Sequence, residues 1–158
     1  MIGQLAIVAL VDVEAALETG SLTGNIYSVD NNRINGSSGE GTGGLTTVVV
    51  GCQIMNWLVS GIDWARPDLR VSVKGVGGEA VKKGILLPQL YDSPALAGGA
   101  EQWWGGTADS AVPGIYAYTL TLTLANRLDL DWELRLDVRQ AFTMDFAARA
   151  AAGLPNPK

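Results

Sequence analysis

Apolar and charged residues alternate strictly near the end of the chain. Between Leu128 and Val138 every even position is apolar and every odd position is charged. Successive side chains of a β-strand point to opposite faces of a sheet, so the pattern predicts a strand with one buried and one wet face. Such a strand belongs to an antiparallel sheet that covers a core on one side, with cross-strand charge pairs on its wet face.

The same two-residue alternation predicts hairpins elsewhere. Ile115–Leu124 alternates as well, and residues 125–127 form a plausible tight connection from it to the last strand. A second hairpin is predicted from Thr46–Val50 and Gln53–Val59, turning at residues 51–52. The other predicted strands are Leu5–Val11, Asn25–Val29, Arg70–Val76 and Glu101–Gly105.

Helical patterns are few. Val13–Glu18, followed by Gly20, predicts one short helix, whereas Lys82–Tyr91 is interrupted by Gly84 and Pro88. The sequence therefore predicts an all-β fold: a single antiparallel β-sandwich, jelly-roll or Ig-like, with seven to nine strands and little helix. We expect the sandwich domain to cover residues 1–146 and a C-terminal tail to cover residues 147–158.

Composition narrows the partners and the compartment. The chain has 158 residues, a formal net charge of -5 and no basic cluster, which argues against nucleic acid and against a membrane as partners. Cys52 is the only cysteine, so no intramolecular disulfide can form, and we read it as a small turn or core residue. The apolar run Leu5–Val11 is too short to span a bilayer and predicts a buried strand. We expect a cytoplasmic protein.

The absence of histidine restricts the chemistry. Without imidazole, a Ser-His or Cys-His nucleophile pair is excluded. Carboxylate-pair chemistry remains, but the acids of the last strand, Asp129, Asp131, Glu133 and Asp137, all share its wet face and indicate a solubilising surface. We therefore expect no enzyme activity.

The longest stretch with almost nothing to bury is Ser28–Gly44. Its glycines lack a phosphate-loop motif and precede a strand rather than a helix. The oxygen-bearing side chains suit calcium, although their spacing is not that of an EF-hand, and the alternative is that they cap turns. The candidate metal ligands are Asp12, Glu14, Asp30 and Asn32. The candidate ligand-binding residues are Asp30, Asn31, Asn32, Glu40, Thr42, Trp103 and Trp104.

Two adjacent tryptophans are the second candidate feature. In a strand, Trp103 and Trp104 point to opposite faces, so one faces the core while the other is exposed or covered by a partner. An exposed tryptophan beside glycines suits stacking on a sugar ring or a contact between subunits. Trp57 and Trp132 each lie on the apolar face of a predicted strand and are assigned to the core.

Residues 11–42 carry a family resemblance. Residues 11–32 contain V-D-x-E followed by L-x-x-N-x-Y-x-x-D-N, and a G-S…G-E-G-T stretch follows over residues 36–42. In these motifs the chain resembles the AidA/PixA family of bacterial inclusion-body proteins. The resemblance implies a small β-rich protein without assigned catalysis, linked to intracellular inclusions. Members that form crystalline inclusions are methionine-rich, whereas this chain has three methionines.

Two hypotheses about function remain open. The first is a non-catalytic inclusion-body-family protein that acts as a homo-oligomer through self-association or protein interaction. The second is a lectin-like carbohydrate-binding module that takes a glycan through the Asp30–Thr42 loop and Trp103 or Trp104. We expect no cofactor, with calcium as the one alternative for this module.

Overall fold

A computed structural model of the chain describes residues 4–92, 102–109 and 112–140. The described residues form two sheets and two short helices. The strands are β1 (Gln4–Val11), β2 (Ile26–Asp30), β3 (Thr46–Val50), β4 (Gln53–Gly61), β5 (Val71–Gly77), β6 (Leu86–Asp92), β7 (Gln102–Ala108), β8 (Gly114–Leu124) and β9 (Leu128–Arg139). The helices are α1 (Val13–Thr19) and α2 (Glu79–Lys82), and two 3₁₀ turns cover Arg33–Asn35 and Pro67–Leu69.

The two sheets differ in size. A five-stranded sheet has the order β2-β1-β4-β7-β6, and a four-stranded sheet has the order β3-β9-β8-β5. The all-β prediction with seven to nine strands and little helix is confirmed, with nine strands among the described residues. Pairing is mixed rather than purely antiparallel, because β1 pairs with β4 and β3 pairs with β9 in parallel.

One predicted hairpin is confirmed and the other is wrong. β8 and β9 pair antiparallel along their length, and Ala125 and Asn126 take positive φ angles of 50° and 53° in the connecting turn. β3 and β4 also follow each other closely, but they lie in different sheets. Each of them finds a parallel neighbour, so the short connection at residues 51–52 crosses from one sheet to the other.

The buried faces of both sheets form one core. Trp57 comes from the five-stranded sheet, and Tyr118 and Trp132 come from the four-stranded sheet. The Trp57 indole donates a hydrogen bond of 3.2 Å to the Tyr118 hydroxyl. Burial raises the pKa of Tyr118, so this hydroxyl stays neutral. The assignment of Trp57 and Trp132 to the core is confirmed.

Local signals account for the helix and for the strand that sequence analysis missed. Asp12 caps α1 by accepting from the Ala15 amide at 3.1 Å, and Gly20 ends the helix in the left-handed conformation. β6 contains Pro88 and lies at the edge of its sheet, a position where a missing amide donor is tolerated.

Some predictions fall outside the described residues. The domain boundary at residue 146 and the tail over residues 147–158 lie beyond them. Within the part of the chain that the structure describes, the helices are too short or too polar for any of them to cross a membrane.

Candidate functional site

The Ser28–Gly44 stretch closes the free edge of β2. The Ser28 amide donates to the Thr42 carbonyl at 3.0 Å, and the Gly41 amide donates to the Ser28 carbonyl at 2.7 Å. The Ser28 hydroxyl also donates to the Thr42 carbonyl at 2.6 Å. Backbone groups at the edge of a sheet otherwise remain open to pairing with another chain. The loop therefore pairs the backbone of Ser28, the central residue of this edge strand.

The same stretch also closes the free edge of β3. Ser38 and Thr46 exchange two backbone hydrogen bonds, of 3.0 and 2.8 Å. The Val48 amide donates to the Ser37 hydroxyl, and the Asn32 side chain donates to the Val48 carbonyl. One connection thus covers the edges of both sheets, which explains its many short polar residues.

Most of the candidate ligand residues in this stretch have structural partners. Asn31 pairs its amide side chain with the backbone of β1, accepting from the Ala6 amide and donating to the Gln4 carbonyl. The Thr42 hydroxyl donates to the Gly39 carbonyl and accepts from the Gly44 amide.

Glu40 and Asp30 differ in their surroundings. The Glu40 carboxylate lies 3.6 Å from the Arg33 guanidinium. Asp30 points inward, where one carboxylate oxygen accepts from the Asn32 amide at 2.8 Å. Its other oxygen is buried without a hydrogen-bond partner among the described residues.

The four candidate metal ligands divide into two pairs. Asp12 and Glu14 lie at the start of α1, directly after the end of β1 that pairs with Ile26. Asp30 pairs with Ile7 toward the other end of the same ladder, and Asn32 follows it. Among the residues that the structure describes, no group of three or more Cys, Asp or Glu side chains is arranged to hold a metal ion.

Trp103 and Trp104 point to opposite faces of the five-stranded sheet. Trp104 packs against the core, whereas Trp103 stacks on Tyr91 with ring centroids 5.1 Å apart on the outer face. Both line a groove of about 380 Å³ together with Leu58 and strand β5. β7 is separated from β2 by two strands, so the tryptophans lie apart from the Ser28–Gly44 loop.

Two acids of β9, Asp131 and Glu133, line a different groove. This groove has a volume of about 490 Å³ and lies between Gly20–Gly24, residues 43–44 and the middle of β9. The Trp132 indole donates to the Gly43 carbonyl at 2.8 Å and so holds the loop to the strand. Asp131 and Glu133 are exposed here, and Asp131 accepts a hydrogen bond from Thr121. Their exposure agrees with a solubilising role.

The outer face of the five-stranded sheet is apolar. We call it the apolar face. Its large side chains point away from the core, because their neighbours in each strand point into it. They are Val8, Leu10, Tyr27, Val29, Ile54, Leu58, Leu87, Tyr91 and Trp103. Leu58 is 51% exposed and Leu87 is 58% exposed.

The apolar face carries no charge. Its remaining outward residues in the described strands are small or amide-bearing: Gln4, Ala6, Asn56, Ser60, Gln89, Gly105 and Thr107. Monomeric proteins seldom expose contiguous apolar patches larger than a few hundred Å², and larger ones usually mark interaction sites. This surface is therefore the strongest candidate functional site in the described part of the chain.

Sequence analysis missed this surface, although a signal for it exists. In β1, β2 and β4 apolar residues occur at both odd and even positions, and none of these strands has a charged residue on its outward positions. A strand with apolar residues at both odd and even positions is typically covered on both faces of its sheet. We read Leu5–Val11 as simply buried, whereas only one of its faces lies in the core.

The fold and this surface define a class: two mixed β-sheets around one core, with an apolar, uncharged outer face. A family model described as a domain of unknown function, DUF8788, matches residues 3–129. The chain belongs to this family. No curated protein matches the chain.

A solved structure shares the fold. The crystal structure of the inclusion body protein PixA from Burkholderia cenocepacia is similar to this chain with a TM-score of 0.64. The similarity covers 87% of this chain and 96% of that one, at 14% identity. The resemblance noted in the sequence is thereby supported at the level of the fold.

Proposed function

We propose that the chain is a non-catalytic, cytoplasmic bacterial protein that acts by binding further copies of itself, as a distant relative of the AidA/PixA inclusion-body proteins. The observation that carries this proposal is the apolar face. Removing its apolar side chains from water is favourable, and no charged group on it has to be desolvated in return.

Three further observations support a role without catalysis. On β9, Asp129 and Asp131 are exposed and accept hydrogen bonds from Thr123 and Thr121 rather than facing another acid across a cleft. The chain contains no histidine. The similar solved structure is named an inclusion body protein, a name without a reaction.

Light scattering on a sizing column tests the proposal. The full chain should elute with a mass above the 16.6 kDa of one copy, and the mass should fall on dilution. The chelator EDTA should leave it unchanged, because the apolar face offers no metal ligands. A monomer at every concentration up to the solubility limit would refute self-association.

The groove lined by Trp103 and Trp104 favours a second candidate function, the carbohydrate-binding module. Trp103 and Trp104 provide the aromatic surface on which sugar rings stack. A glycan array should then show binding that Trp103→Ala abolishes. Trp64→Ala is the matched control, because Trp64 is exposed on a separate loop. Repeating the array with EDTA separates the calcium-dependent version from one without metal. An array without any bound glycan counts against this candidate.

A further inference from the structure

We propose that the apolar face packs against the same face of a second copy, so that two molecules form a closed, two-fold symmetric dimer. This inference rests on the self-association proposed above. It adds that the apolar face of each copy forms the contact and that assembly stops at two copies.

An apolar band crosses the full width of the apolar face. Val29 pairs with Val8, Val8 pairs with Leu58, and Tyr91 pairs with Trp103. Leu58 and Trp103 lie two residues beyond the last β4–β7 pair, Asn56 and Gly105, and flank one groove within the band. Every strand of the sheet thus contributes one apolar or aromatic side chain to a single row centred on β4.

The aromatic end of the band is preorganised. The Tyr91 ring lies over Gly105, since a Cβ on that glycine would come within 2.8 Å of the ring. The Trp103 ring stacks on the same tyrosine with an angle of 19° between the planes. Because these rings already hold each other in place, little side-chain entropy is lost when a partner covers them.

The size of the face suits a dimer. Five strands about 4.8 Å apart, over about seven residues rising 3.3 Å each, give a projected area of roughly 550 Å². Two such faces together bury roughly 1,100 Å², which is just above the minimum of about 1,000 Å² for a specific interface and below the roughly 1,200–2,000 Å² of stable complexes. The size of the face therefore suits a weak dimer that dissociates on dilution.

Charge selects the partner surface. The outer face of the four-stranded sheet carries Asp129, Asp131 and Glu133, all exposed. If the apolar face packed on that surface, these carboxylates would lose water without gaining a counter-charge from the partner. A second apolar face imposes no such cost. A symmetric contact between like faces is therefore favoured over a head-to-tail contact that would grow into a filament.

The edges of the five-stranded sheet do not favour growth by strand addition. Ser28 at the β2 edge is already paired with Gly41 and Thr42, and Pro88 interrupts the donors of the β6 edge. The dimer would present to solvent its two four-stranded outer faces, which carry both acids and bases. A two-fold contact uses the apolar face of both copies, so assembly stops at two copies.

Sedimentation equilibrium on the full chain tests the surface. We expect a dimer for the natural sequence. Leu58→Arg places an unpaired charge in the centre of the contact and should weaken the dimer at least about 100-fold. The matched control Thr121→Arg adds the same side chain to the outer face of the four-stranded sheet and should leave the dimer unchanged. Circular dichroism verifies that both variants are folded.

The outcomes separate the inference from the proposed function. If the unsubstituted chain forms an assembly that persists in the Leu58→Arg variant, self-association is supported but the apolar face is not its contact surface. If the unsubstituted chain is a monomer, both the proposed function and this inference are wrong. In particular, a monomer that becomes a dimer when residues 141–158 are deleted would show that the chain's own tail covers the face.

Cysteine cross-linking tests the symmetry and does not depend on Leu58→Arg folding. In a Cys52→Ser background, the Leu58→Cys chain carries its thiol on the central strand and should be cross-linked to its own copy by a flexible bifunctional maleimide, which spans the distance of about 10 Å between facing sheets. The Thr121→Cys chain in the same background should give no cross-linked dimer. A mixture of the two variants that cross-links Leu58→Cys to Thr121→Cys would demonstrate head-to-tail packing and overturn the inference.

Discussion

The two sheets have similar inner faces and opposite outer faces. Both contribute apolar and aromatic side chains to one core. The outer face of the four-stranded sheet carries both acids and bases, with Lys74 bound to Asp129 and Arg139 bound to Asp137. The apolar face of the five-stranded sheet has no charge. Folding requires only one covered face per sheet, so the chemistry of the second face reports on what the protein contacts.

The largest expected effects are on the inner faces, where the two sheets should behave alike. Trp57→Ala and Trp132→Ala each remove a buried indole and its hydrogen bond, and each should lower the free energy of unfolding by about 3–5 kcal/mol. Urea denaturation at fixed protein concentration measures the loss. A loss below about 1 kcal/mol for either variant would show that its sheet does not share the core.

A substitution at Gly105 tests whether the Tyr91 ring is held rigidly over this glycine on the apolar face. A side chain there would meet the Tyr91 ring and the Met55 carbonyl, at 2.8 and 3.0 Å from its Cβ. Gly105→Val should lower the free energy of unfolding by about 1–3 kcal/mol. Thr107→Val, on the same strand and face, is the control and should change it by less than about 0.5 kcal/mol. Equal effects would mean that Tyr91 moves aside freely.

Salt should affect the two outer faces differently. Exposed ion pairs such as Lys74 with Asp129 weaken as salt rises, but an uncharged contact between apolar faces does not. We expect the dimer dissociation constant to change less than about threefold between about 0.05 and 0.5 M sodium chloride. Sedimentation equilibrium at both salt concentrations measures it. A dimer that dissociates steeply at high salt would place the contact on the charged face instead.

The smallest expected effect is a shift in one acid titration. The hydrogen bond from Lys74, followed by that from Thr123, holds the pKa of Asp129 below its usual value. Thr123→Val should raise this pKa, and Thr119→Val on the same face should not. Carboxyl NMR titration measures both.

The sign of the stability change follows from that pKa shift. Because the pKa of folded Asp129 is lowered, its contribution to stability is present above the unfolded value of about 3.9 and is lost as pH falls through the folded value. In the Thr123→Val protein this contribution should be smaller, and its loss should still begin near the unfolded value but be complete at a higher pH. An unchanged titration would mean that the hydroxyl does not support the carboxylate.

Several elements were readable from local signals. The alternation of β8 and β9 predicted both strands and their hairpin, because each residue's neighbours two positions away specify its face. Gly20 predicted the end of α1, because its left-handed conformation is costly for other residues. β6 was missed, because Pro88 excludes a central strand and the sequence does not say which strands lie at an edge.

The candidate site was harder to predict, because it depends on hydrogen bonds and strand pairing between segments that are distant in the sequence. The Ser28–Gly44 stretch has the composition of a ligand loop, but its hydrogen bonds run to β2 and β3, which lie in different sheets. Trp103 and Trp104 were correctly placed on opposite faces, but which of them faces the core depends on the register of β7 with β4 and β6.

The sequence by itself determined the all-β class, the positions of most strands and the wet face of β9, because these depend on side chains one or two residues apart. Only the tertiary structure decided that β3 and β4 separate into different sheets, that one loop closes both sheet edges, and that apolar residues of five strands meet on one open surface. Those features depend on pairing between distant segments, and the free energy of such pairing depends on which surfaces meet rather than on any single strand.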